Sequence, residues 1–305
     1  MRYLVTGGCG FIGSHICEAL VAQNAAVRVY DNLASGHERN IAPFRGKVEF
    51  VQADVRDRAA LKSAMQGVDY VFHEAALVSV FDSVDRPLDN HEINISGTLN
   101  VLMAAKEAGV KRVVVASSAA IYGNDPALPK TEDMKPQPES PYALAKIAKE
   151  YYMSVFSKLF GLQTVSLRYF NVYGPRQDPS SMYSGVISKF TEVVRAGQNP
   201  SVFGDGLQTR DFVFVKDVVQ ANLAAMHTDG LGGGEVFNVG TGRAISLLDL
   251  LSTLKELTGR SFEVQFKPAR AGDIRHSLSD ITRARRALKY APRYDLKRGL
   301  GELLA

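Results

Sequence analysis

Gly7-Gly8-Cys9-Gly10-Phe11-Ile12-Gly13 follows an apolar run at residues 3–6 and leads into a helical pattern at 14–23. Glycines at 7, 10 and 13 permit a tight turn, close approach of backbone to a pyrophosphate, and close packing of helix on strand. The start of the next helix then offers unpaired N–H groups and a partial positive charge to phosphate. A glycine triplet alone means little. Between a strand and a helix it reads as the entry to a dinucleotide-binding βαβ unit.

The alternation continues outward from that turn. Runs rich in Val, Phe and Tyr at 26–30, 48–52, 70–74, 112–117 and 164–169 read as strands. The stretches 58–65, 93–108 and 142–160 read as helices. Near-continuous apolar strands suit a parallel sheet covered on both faces. The expected fold class is α/β: a Rossmann-type doubly wound parallel sheet with a smaller α/β substrate-binding domain. The first domain is expected over 1–172 plus about 211–240, the second over 173–210 and 241–305.

Composition narrows the class of function. The chain has 305 residues, 46% hydrophobic and 22% charged, as an ordinary globular enzyme does. Its net charge of +4 comes from scattered Lys and Arg, which argues against a nucleic-acid partner. The apolar run before Gly7 is too short for a signal core or a membrane span, so a cytoplasmic protein without a membrane partner is expected. Cys9 and Cys17 make no disulfide framework. His73-Glu74 and His91-Glu92 each lack a second His four positions after the first, so no metal is expected.

Asp31 ends the second strand about twenty residues beyond the glycines, where an acid can hold a ribose 2′-hydroxyl. The same carboxylate repels a 2′-phosphate, so NAD is favoured over NADP. Asp54, after the third strand, can meet the adenine, and Ala75 and Ala76, after the fourth, leave room for the cofactor.

The candidate chemistry lies at Tyr142-Ala143-Leu144-Ala145-Lys146. A spacing of four puts phenol and ammonium on one helix face. A free phenol ionises near pH 10, too high for a base at neutrality. A neighbouring cation favours the phenolate, which can then act as general base on a sugar hydroxyl. With 12 tyrosines, about one such spacing is expected by chance, so position decides. The pair opens a helix after the fifth strand, opposite Ser117-Ser118 at that strand's end, where doubly wound sheets meet ligands. Ser118 would bond the reacting oxygen or steady Tyr142; capping the next turn is its simpler role.

Taken together, these stretches resemble the extended short-chain dehydrogenase/reductase family, and within it the UDP-hexose 4-epimerases. The resemblance rests on Gly7 to Gly13, Asp31-Asn32, Asp54-Val55, Ser117 to Gly123, Tyr142 to Lys146, Arg168 to Pro175, Arg210-Asp211-Phe212 and Arg270 to Asp273. It implies bound NAD, with Phe11, Ile12, Asn32, Val55 and Tyr169 joining the residues above at the cofactor. It also implies a UDP-sugar substrate. Asn171 would hold the sugar-diphosphate, Val186 and Phe203 would flank the uracil, and Arg210, Arg270 and Asp273 would hold the diphosphate and ribose. It implies a homodimer through the helices at 93–108 and 142–160.

Two departures sharpen the reading. Ala119-Ala120-Ile121 carries no acid where related dehydratases and decarboxylases do, which disfavours both. Ser277 stands where a tyrosine in related epimerases goes with unsubstituted hexoses, so space is left for an N-acetyl group. The stretches Arg176-Gln177-Asp178-Pro179 and Met182-Tyr183-Ser184 look like the subgroup acting on UDP-GlcNAc and UDP-GalNAc, with UDP-Glc and UDP-Gal still admissible. A dehydrogenase or reductase of another nucleotide sugar shares every cofactor residue, and only the loops 174–184 and 268–277 argue against it; a redox-sensing binding protein is disfavoured because Ser118, Tyr142 and Lys146 are all present.

Overall fold

The computed structural model describes residues 1–178, 185–269 and 274–305. Six strands come first along the chain: β1 (Arg2–Thr6), β2 (Ala26–Asp31), β3 (Val48–Gln52), β4 (Tyr70–His73), β5 (Arg112–Ser118) and β6 (Gln163–Tyr169). A further strand, Gly233–Val239, pairs with β6 and completes a seven-stranded sheet. From that strand inward the order is β6, β5, β4, β1, β2, β3, and every pair is parallel. The order reverses between β1 and β4. A doubly wound sheet opens its ligand crevice at such a reversal. Thr6 and His73 are paired there at the carboxyl ends of the two strands.

Strand side chains alternate between two cores, as the pleat requires. Phe72 joins Ile16, Cys17 and Leu20 of α1 (Phe11–Ala22) and Val218, Ala221 and Ala225 of the helix Val215–His227. Val71 joins Leu61 of α2 (Arg58–Ala64), Val101 and Leu102 of the helix Gly97–Glu107, and Met153 and Phe156 of the helix Pro141–Phe160. A third core lies beyond the sheet. It gathers Tyr173, Phe190, Phe212, Phe214, Leu250 and Leu254.

The spacing predicts one helix over 93–108, but its first turn is π-helical, Glu92–Ser96. The cause is local. Asn94 accepts from the Leu77 N–H at 3.0 Å and donates to the Leu77 carbonyl at 2.9 Å, while Thr98 Oγ1 donates to the Asn94 carbonyl. Turns of this kind recur at functional sites. The helices Val80–Asp85, Pro87–His91 and Val215–His227 have no counterpart in the sequence reading. Cys9 and Cys17 are both buried and unbridged. Among the described residues, no helix is long and apolar enough to cross a membrane.

Candidate active site

The glycine turn sits at the end of β1, and its tightness fits a dinucleotide cradle. Gly7 has φ +67°, and a Cβ there would lie 2.7 Å from the Ala75 nitrogen. Gly10 precedes α1 with no side-chain cap, so the first N–H groups of the helix keep their donors for a ligand. Phe11 and Ile12 form the first turn of α1, and Ile12 packs on both the first and third cores.

Asp31 is buried beside this turn. One carboxylate oxygen accepts from the Cys9 N–H at 2.9 Å, the other from the Leu33 N–H at 2.8 Å. Burial raises its pKa above the usual value, and those two bonds oppose the rise. Each oxygen keeps a lone pair for a ribose hydroxyl. Asp54 is engaged differently. Arg56 grips both its oxygens at 2.9 Å, and Asn32 donates to one at 2.7 Å. These bonds, Arg56 first, hold its carboxyl down at about 2. Val55 is buried against Gly97, and Asn100 donates to its carbonyl.

Ala75 and Ala76 are half-buried just beyond β4. A hydrogen-bond chain fixes this stretch. Thr98 Oγ1 gives its proton to the Asn94 carbonyl, so it accepts from His73 Nε2 at 2.9 Å. His73 Nδ1 therefore accepts from Thr6 Oγ1 at 2.7 Å, and Thr6 in turn accepts from the Ala75 N–H. Burial, with Lys149 and Lys146 nearby, pushes the His73 pKa well down, in keeping with a neutral ring. Glu74 accepts from the Tyr169 hydroxyl at 2.9 Å, and burial pushes its carboxyl up to about 7. Asn222 donates to the same hydroxyl at 2.8 Å.

The catalytic candidates meet around the end of β5. The helix Pro141–Phe160 starts with Ser140 capping the Ala143 N–H and a proline at its first turn. The Tyr142 N–H, otherwise unpaired in that turn, donates to Ser83 Oγ at 3.1 Å. Asn90 donates to the Pro141 carbonyl and accepts from Asn94, which ties the helix start to the π-turn. Lys146 is buried, donates to the Ala116 carbonyl at 2.9 Å, and holds its ammonium 5.4 Å from the Tyr142 ring centroid. Two residues beyond Ala116, Ser118 Oγ accepts from the Ala120 N–H at 3.1 Å. The capping role is thus real, and it leaves the Ser118 proton free to be donated.

The expected substrate residues spread over the outer segment. Asn171 and Val186 come together at a cavity of about 40 Å³ that Gln177 and Phe212 also line. Phe203 ends the strand Ser201–Phe203, with Lys267 over its ring at 5.8 Å. Arg210 lies on the strand Thr209–Arg210, and the Ser277 N–H donates to the carbonyl of Thr209 at 3.1 Å. Arg270, Asp273, Pro179 and Met182-Tyr183-Ser184 lie outside the described residues.

Several polar residues at the site are absent from the sequence reading. Asn90, Asn94 and Thr98 follow one another at the four-residue spacing of a helix face, a signal the sequence reading did not use, while Ser83 lies on a separate short helix; the fold brings them to the start of the Tyr142 helix or the end of β4. Asp211 was legible only within its motif. It is buried and accepts from Thr241, Gly242 and Ser279, so it clamps three segments together.

A glycine cradle, an acid closing the second strand, and a tyrosine–lysine pair at a strand end define a nicotinamide-dinucleotide enzyme. The chain belongs to the NAD dependent epimerase/dehydratase family, whose description matches residues 3–240, and NAD is its cofactor. It is 42% identical to a UDP-glucose 4-epimerase of Mycolicibacterium smegmatis over 99% of this chain and 97% of that one. Its structure resembles the UDP-N-acetylglucosamine 4-epimerase of Methanobrevibacter ruminantium in complex with UDP-N-acetylmuramic acid, with TM-score 0.95 and 38% identity over 99% and 96% of the two chains. It also resembles the UDP-glucose 4-epimerase of Thermus thermophilus in complex with NAD, with TM-score 0.90 and 39% identity over 100% and 98%.

Proposed function

We propose that this enzyme inverts C4 of UDP-GlcNAc and UDP-GalNAc, and also accepts UDP-Glc and UDP-Gal. The carrying observation is the buried Lys146 ammonium 5.4 Å from the Tyr142 ring centroid, beside the end of β5. Bound NAD supplies the hydride acceptor and, later, the hydride donor. Tyr142 removes the O4 proton as hydride leaves C4, and a 4-keto sugar forms. The sugar turns over, hydride returns to its other face, and Tyr142 gives the proton back to O4. Ser118 donates its free proton to the reacting oxygen, and Lys146 favours the phenolate. No net redox change results.

The outer segment, 173–210 and 241–305, reads as the substrate domain, with the cofactor domain over 1–172 plus about 211–240. Asn171, Arg210, Arg270 and Asp273 suit a sugar-diphosphate, and Val186 and Phe203 suit the uracil. Ser277, small and half-buried, suits the sugar C2 side. The Pro141–Phe160 helix exposes Leu144, Tyr151, Val155 and Leu159 along one side, which supports a homodimer. A cytoplasmic location fits this chemistry.

The test uses purified protein without added NAD, mixed with UDP-GlcNAc or UDP-Glc, and separation of the nucleotide sugars. C4 epimers are expected. NADH accumulating with each substrate consumed would overturn the reading in favour of a dehydrogenase. Tyr142→Phe should lose about 10²–10⁴-fold in kcat with the fold retained.

A further inference from the structure

Ser118 lies in a stretch of chain that is pinned on both sides. Just before it, Ser117 Oγ donates to Glu150 Oε1 at 2.5 Å. Just after it, the short turn Ala119–Tyr122 ends on Tyr122, whose hydroxyl accepts from Arg168 Nη1 at 2.9 Å and donates to Asn238 Oδ1 at 2.6 Å. The two pins are one unit. Arg168 Nε and Nη2 grip the two oxygens of Glu150 at 2.9 and 2.8 Å. A single ion pair therefore holds Ser117 through its acid and Tyr122 through its base, and all four residues are buried.

The acid arm comes from the helix that carries Tyr142. Tyr142, Lys146 and Glu150 follow one another at four-residue spacing on Pro141–Phe160, and all three are buried, so they share one face. Lys146 grips the Ala116 carbonyl and Glu150 grips the Ser117 hydroxyl, so successive turns of the helix hold successive residues of β5. Ser118 is the next residue of that strand. The base arm comes from β6, one residue before Tyr169. The placement of Ser118 relative to Tyr142 thus passes through these contacts.

Stability alone does not account for the pair. A buried ion pair gains little over apolar residues of the same volume, because desolvation offsets most of the attraction. What the forked guanidinium adds is direction, since it fixes angles as well as distances. We propose that Glu150 and Arg168 are positioning residues for the epimerase: acting through Ser117 and Tyr122, they hold the Ser118 hydroxyl where it and Tyr142 can meet the same reacting oxygen. The inference rests on Ser118 and Tyr142 acting as described above. A misplacement of about 1 Å at such a group can cost about 10²-fold in rate.

The test leaves the ion pair intact and cuts each pin alone, with Ser117→Ala and Tyr122→Phe. Each should lower kcat about tenfold, with bound NAD and the KM for UDP-Glc and UDP-GlcNAc near wild type. The same two changes are then made on Ser118→Ala. There kcat should fall no further, within about twofold, because the group they place is already gone. Wild-type kcat in both single variants overturns the proposal. So does a repeated tenfold loss in the Ser118→Ala background, or loss of NAD alongside kcat, either of which would make the pins general supports of the fold. Wild-type kcat in Ser118→Ala alone would instead sink the role given to Ser118 in the reaction, a result that neither pin variant can produce.

Discussion

Gly13 lies so close to Gly7 that a Cβ at position 13 would come within 2.2 Å of the Gly7 carbonyl oxygen. The obstacle is backbone, so no side chain can swing aside. Gly13→Ala should open the cofactor turn and lower both NAD retention and the melting temperature. A loss of about tenfold in affinity and roughly 4 °C is expected. Cofactor released on denaturation and a thermal melt measure the two effects; wild-type values for both would show that the turn relaxes freely.

Arg168 and Glu150 form a buried, bidentate ion pair at 2.9 and 2.8 Å. Among the described residues, Arg168→Met leaves the Glu150 charge with the Ser117 hydroxyl as its side-chain partner. Denaturant unfolding should show a loss of about 3–5 kcal/mol. Adding Glu150→Met should recover most of it. A double variant as weak as the single one would mean that packing, not charge, dominates.

Glu74 predicts a pH effect of definite sign. Its carboxyl titrates at about 7 in the folded chain against 4.5 ordinarily. Between those values the folded state binds more protons, so this group's contribution to stability is present at low pH and is lost as pH rises toward 7. Glu74→Gln stays neutral and can still accept from Tyr169. The melting temperature of the variant relative to wild type should therefore climb from pH 5 to pH 8. A constant difference would contradict the raised carboxyl.

Ser277 is tied through its backbone to Thr209, so a larger side chain there cannot shift away without disturbing the Arg210 strand. Ser277→Tyr should suppress turnover of N-acetylated UDP-hexoses about tenfold more than of plain ones, within the range that steric discrimination reaches. Equal suppression of both would remove the gate.

The exposed stripe on the Tyr142 helix predicts the oligomeric state. Val155→Arg with Leu159→Arg should convert a dimer to a monomer in sizing chromatography coupled to light scattering. A wild-type monomer would remove the dimer outright.

The sheet was legible because its strands are local apolar runs. All six expected strands lie within one residue of their observed ends, and β3 matches at both. The Tyr142–Lys146 pair was legible from spacing within one helix, the glycine turn from its place between a strand and a helix, and Asp31 from its place at the end of the second strand. The π-turn was not, because a pattern of apolar residues does not record where Asn94 bonds to Leu77, seventeen positions away. The helix Val215–His227 was missed because it follows a strand without a turn residue between them: Phe214 ends one element and Val215 starts the other. Lys149 was hidden by its neighbours, since a second lysine in a helix reads as a solvated charge until the fold buries it.

The seventh strand has a consequence for biosynthesis. Gly233–Val239 closes the edge beside β6, and Val218, Ala221 and Ala225 cover one side of the sheet, yet all of them leave the ribosome some fifty or more residues after β6. A nascent chain stalled near residue 172 would display an open strand edge and a bare apolar flank. Cutting there should yield an aggregating fragment rather than a free-standing nucleotide binder, and transplanting only the leading part into a chimera should fail for the same reason.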